Sequence, residues 1–63
     1  MTAQVLAALL DALKDCADDL EAEIYQRITP EMRQYPCMQA DYDRDMATVR
    51  AARLAYRNAG GEA

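Results

Sequence analysis

The 63 residues carry a formal charge of −4 and a pI near 4.5, with two Cys, no His and no Trp. A chain this short forms at most one domain with a small core, and it needs regular helix packing or a second copy to hold that core together. The acidic balance excludes non-specific attachment to nucleic acid or to an anionic membrane, since both require a basic face. The lack of His and of a Cys-x-x-Cys pair excludes the common zinc sites.

The first apolar run, Val5–Leu10, is interrupted by Asp11 and has no basic segment before it. It is too short for a membrane span and lacks the form of a signal peptide, so the expected location is the cytoplasm. From there Leu6, Leu10, Leu13, Ala17, Leu20, Ile24 and Ile28 recur at steps of three and four, widened by Leu9 and Cys16. That spacing predicts one amphipathic helix over about 3–28, with Thr2 as its N-cap. The same segment holds six acids, Asp11, Asp15, Asp18, Asp19, Glu21 and Glu23, against Lys14 alone, so residues 1–26 sum to −5 and residues 27–63 to +1. At about 100° per residue, Asp11, Asp15, Asp18 and Asp19 fall opposite the apolar stripe. Like charges at Asp11/Asp15 and Asp15/Asp19 repel at the i,i+4 spacing, a local cost most easily understood if the face is used.

Thr29-Pro30 stops this helix and is itself a good helix start, so residues 29–36 read as a turn or one short helix. Tyr35-Pro36 closes it. A second long helix is predicted over about 37–58, with Met38, Tyr42, Met46, Val49, Ala52 and Tyr56 on one face and Asn58-Ala59-Gly60-Gly61 as its stop, leaving a tail at 59–63. Leu54 stands off that face beside Ala47 and Ala51. The architecture is therefore all-α: an antiparallel helical hairpin with a short helical turn between two long helices. A symmetric turn centred on Met32 sets Leu20 by Arg44, Leu13 by Ala51 and Leu10 by Leu54. It also brings Arg50 and Arg53 near Asp15 and Asp11. Cys16 falls beside Thr48, about 16 Å along the helices from Cys37, so both thiols are expected free and reduced. One partner helix covers each apolar stripe only in part, so a homodimer closing a four-helix bundle is expected.

Asp41-x-Asp43-x-Asp45 has the opening of a calcium loop, but the positions that need Gly and a bidentate Glu are Met46 and Ala52. The two leading acids suit the N-terminal turns of the second helix instead, where the helix dipole is positive. No base stands near a Ser or Thr in a spacing that defines a nucleophile, and an exposed helix face has no pocket to shift a carboxylate. The expectation is a non-enzymatic chain with no catalytic residue, no metal and no cofactor.

Asp19-Leu20-Glu21-Ala22-Glu23, then Tyr35-Pro36, Tyr42-Asp43-Arg44-Asp45-Met46 and Val49-Arg50-x-Ala52-Arg53, together resemble small acidic phage and prophage proteins of alphaproteobacteria. Some of these are anti-CRISPR proteins of the class that inhibits type I (Cascade) effectors. The resemblance covers about residues 19–53. It implies an inhibitor whose carboxylates occupy the place of DNA phosphates, a DNA mimic acting in the host cytoplasm. The partner it implies is a host protein with a basic nucleic-acid-binding surface, without direct contact to nucleic acid or membrane. Asp11, Asp15, Asp18, Asp19, Glu21 and Glu23 are the candidate partner-binding residues, an assignment that rests on charge and face. The alternative is a helical assembly or adaptor module that self-associates or binds a partner unconnected with nucleic acid.

Overall fold

The computed structural model describes residues 2–61; Met1, Glu62 and Ala63 lie outside them. Helix α1 spans Ala3–Arg27, one 3-10 turn spans Met32–Gln34, and helix α2 spans Pro36–Asn58, with no strand among the described residues. The chain is all-α, a helical hairpin.

Each boundary has a local chemical cause. The Thr2 hydroxyl accepts a hydrogen bond from the Val5 N–H at 3.1 Å, satisfying one of the amides that a helix start leaves without a partner. Ala, Leu, Glu and Lys then carry α1 to Arg27, and Ile28 turns extended while its N–H still reaches the Ile24 carbonyl at 2.8 Å. The Thr29 hydroxyl accepts from the Met32 N–H at 3.4 Å and opens the 3-10 turn. Tyr35 is extended, as a residue before proline must be, and Pro36 occupies the start of α2, where its missing N–H costs nothing. At the far end Gly60 takes φ +98°, and the N–H groups of Gly60 and Gly61 close on the carbonyls of Arg57 and Tyr56 at 3.1 and 2.9 Å. This double closure is the Schellman cap that a left-handed glycine makes possible. Of the tail expected at 59–63, the first three residues form this cap, and Glu62 and Ala63 lie outside the described residues.

The core is small. Ala17, Ile24, Ile28, Met46 and Val49 are buried, Ile24 and Val49 completely, and Leu20 and Tyr42 pack against them. The two stripes do face each other, but their axial register departs from the symmetric hairpin. That arrangement sets Arg27 level with Cys37 and Arg53 level with Asp11; in the structure Arg27 reaches Asp45, and Arg53 reaches Asp18 and Glu21. The second helix is displaced by about two turns, ~12 Å along the axis. The cause is the connection. Rather than making a tight U-turn, it lies back along the opening turns of α2, where the Arg33 guanidinium stacks 4.3 Å from the centre of the Tyr42 ring.

One consequence is that α1 outruns its partner. The end of α2 comes level with about Leu13, where Tyr56 and Ala52 line a cleft with Leu13 and Ala17, and the first ten or so residues of α1 project beyond the hairpin. Leu6 and Leu9, expected in the core stripe, are 39% and 52% exposed. The same displacement puts Cys16 level with the last turns of α2, roughly 27 Å along the axis from Cys37. Both thiols are free and exposed. The molecule is a rod of 46 × 17 × 17 Å. No described helix is long and apolar enough to cross a membrane.

Candidate functional site: the acidic face of the first helix

The shifted register divides the six acids into two groups. Arg53 reaches across from α2 and donates to Glu21 through Nη1 and Nη2, at 2.9 and 3.1 Å, and to Asp18 through Nη2 at 3.1 Å. Lys14 adds a second cation beside Asp18 at 3.6 Å. Hydrogen bonding from Arg53 is the main reason that the Asp18 and Glu21 carboxyls are held below their ordinary range, and the same pairing raises the Arg53 guanidinium further above its own. These two acids staple α1 to α2. Glu23 stands 4.0 Å from Arg27 one turn along its own helix.

Asp11, Asp15 and Asp19 are different. All three are exposed, and among the described residues none has an ion-pair partner. Spaced four residues apart, they stand ~6 Å from one another along the helix, on the side turned away from Ile24. At physiological ionic strength the screening length is about 8 Å, so neighbouring acids in this row act on an approaching charge together. The candidate surface therefore contracts from six residues to a row of three, flanked by Glu23.

The arginines of α2 are only partly engaged. Arg53 is intramolecular as expected, but it meets Asp18 and Glu21 rather than Asp11; Arg50 is exposed and makes no ion pair among the described residues. The acids of the calcium-like string are also in ordinary use. Asp45 takes Arg27 and Arg44, Asp41 takes Arg44 at 3.3 Å, and Asp43 accepts from the Gln39 amide at 2.8 Å.

Sequence reasoning missed an aromatic and cationic cluster at the turn. Tyr25, nearly half exposed, lies 6.3 Å from Tyr42 ring to ring, and Arg33 covers Tyr42 from the connection. No spacing rule joins Tyr25 to Arg33, because the cluster exists only once the connection lies back on α2. Tyr35, at the end of the same connection, is exposed.

Chemically this surface offers a row of exposed carboxylates on a convex helical support. Such a face can attract and bind cations. Set against family models, curated proteins and solved structures, the chain matches none.

Proposed function

We propose that this chain is a small acidic protein ligand that occupies the nucleic-acid-binding surface of a host protein, with a type I CRISPR effector complex as the partner that its resemblance to phage anti-CRISPR proteins suggests. The observation that supports this most is the row Asp11, Asp15 and Asp19, without ion pairs among the described residues, on a helix whose Asp18 and Glu21 are held by Arg53 and whose Glu23 lies beside Arg27. A basic groove attracts such a row through the field with which it attracts phosphates, which speeds encounter and makes affinity salt-sensitive.

Magnitudes limit the mimicry. Duplex DNA presents about one charge per 1.7 Å of axis, whereas the acidic row presents one per ~6 Å. The row stands in for a local set of two or three phosphates rather than for a length of duplex, and the remaining affinity has to come from contacts beside it. Electrophoretic mobility-shift competition tests this directly. Adding the protein should release target DNA from the effector, and the Asp11→Lys/Asp15→Lys/Asp19→Lys variant should not.

A second reading, a helical adaptor or assembly module, is favoured by a separate observation. Val5, Leu6 and Leu9 form an exposed apolar end on α1, a feature that charge mimicry does not require.

A further inference from the structure

Alanine stands on the facing stripe of both helices at one level, Ala17 on α1 and Ala52 on α2, where the core further along carries Ile24, Met46 and Val49. The smaller side chains do not fill the space between the helices. A cleft of about 160 Å³ is left there, with Leu13 and Tyr56 completing its apolar part. Tyr56 is held by the helix cap: the Gly61 backbone lies so close to its ring that a Cβ at that position has no room.

The rest of the lining is charged, with Lys14, Arg53 and Arg57 against Asp18. The Asp18 carboxylate is already met by Arg53 at 3.1 Å and by Lys14 at 3.6 Å. Arg53 is held in turn by Glu21, so three cations share two carboxylates here, in a chain whose total charge is −4. Arg57 is the cation left over; it is exposed and makes no ion pair among the described residues.

We propose that this cleft binds a small monocarboxylate with a compact apolar body, the body between Ala17 and Ala52 and the carboxylate on Arg57. Size selects the body. A cavity of about 150 Å³ takes a benzene-sized group, so the body has about six carbons. Charge selects the head. A guanidinium pairs a carboxylate through two parallel N–H donors, whereas an ammonium head would meet Arg57 and Lys14 as like charges. Neither half suffices alone, because an exposed ion pair adds little without the apolar burial beside it. The cleft shares no residue with the row Asp11, Asp15 and Asp19, so the two surfaces are tested apart.

Amide NMR on the full, isotopically labelled chain at low salt reads the binding. Benzoate is the probe; acetate, benzyl alcohol and benzylamine supply the head alone, the body without charge and the body with the opposite charge. Benzoate should saturate at roughly millimolar concentration, with shifts centred on residues 13–18 and 52–57, and the other three should bind at least about fivefold more weakly. Arg57→Gln should bring benzoate down to the affinity of benzyl alcohol and leave benzyl alcohol itself unchanged, a split that a merely structural role would not give. Ala52→Leu, which fills the cleft, should abolish binding of both, and Arg50→Gln, outside the lining, should alter neither. Circular dichroism checks that each variant keeps its helicity. Absence of saturation by benzoate, benzylamine bound as well as benzoate, shifts centred elsewhere, or affinity untouched by Arg57→Gln overturns the proposal. So does a peptide with an interior leucine beside a glutamate that binds about tenfold tighter than benzoate at the same amides, since the occupant is then a protein segment.

Discussion

Truncating the same kind of side chain at two places on one stripe tests the register of the hairpin. Ile24 is completely buried between the helices, and Leu6 is 39% exposed on the projecting end. Ile24→Ala and Leu6→Ala each remove three carbons, a transfer cost of ~2.4 kcal/mol if the site is fully buried. At Ile24 the cavity left between Met46 and Val49 adds to that, for a total of about 3 kcal/mol. A 63-residue chain at ~0.05–0.15 kcal/mol per residue has ~3–9 kcal/mol in all, so this one change removes a large part of its stability. Thermal unfolding followed at 222 nm in dilute solution should show a fall of ~12–24 °C for Ile24→Ala. Leu6→Ala should cost under ~1 kcal/mol, since Ala is the better helix former and little packing is lost. A symmetric hairpin would bury Leu6 against the end of α2, and equal losses at the two sites would refute the displaced register.

Other consequences follow from the caps, the ion pairs and the thiols. Gly60→Ala forces a Cβ into a left-handed backbone and should cost about 1 kcal/mol, a drop of ~4–8 °C in Tm; an unchanged Tm would mean that the cap contributes nothing. Asp18 and Glu21 are depressed below their ordinary values of 3.8 and 4.5 in the folded chain, chiefly by hydrogen bonds from Arg53. The unfolded chain then binds more protons, so their contribution is complete above about pH 5 and is lost as the pH falls through 4 and below. Stability measured from pH 6 down to 3 should decline in the native chain and decline less steeply in Arg53→Met, and identical slopes would remove Arg53 as the cause. Alkylation of the native protein without reductant should label both Cys16 and Cys37, and recovery of a Cys16–Cys37 bridge would contradict the helix placement.

How far the fold can be read in the sequence depends on what sets each feature. Thr2, Thr29-Pro30, Tyr35-Pro36 and Gly60-Gly61 act through their own backbone geometry, so the helix boundaries are legible within a residue. Periodicity likewise identifies Ala17, Ile24, Met46 and Val49 as the facing residues. Periodicity fixes the face of a helix and not its position along the axis, and there the reading fails. Register depends on the connection lying back on α2 with Arg33 over Tyr42, a contact between a turn and a helix that no helical spacing signals. The candidate site shows the same division. The exposure of Asp11, Asp15 and Asp19 follows from the helical phase alone, whereas the engagement of Asp18 and Glu21 by Arg53 depends on register and could not be seen beforehand.

The acidic row can be tested apart from the fold because its members hold no ion pair among the described residues. Binding of the native chain and of the Asp11→Lys/Asp15→Lys/Asp19→Lys variant to a purified type I effector complex should be measured by calorimetry across a range of salt, with helicity checked in parallel. Saturable binding by the native chain that weakens as salt rises is expected, and its loss in a variant that keeps its helical signal, because surface attraction is screened and here reversed. Binding that survives the triple reversal, or that is indifferent to salt while Arg50 or Tyr35 substitutions abolish it, would contradict the acidic-row mechanism and move recognition to the second helix and the turn.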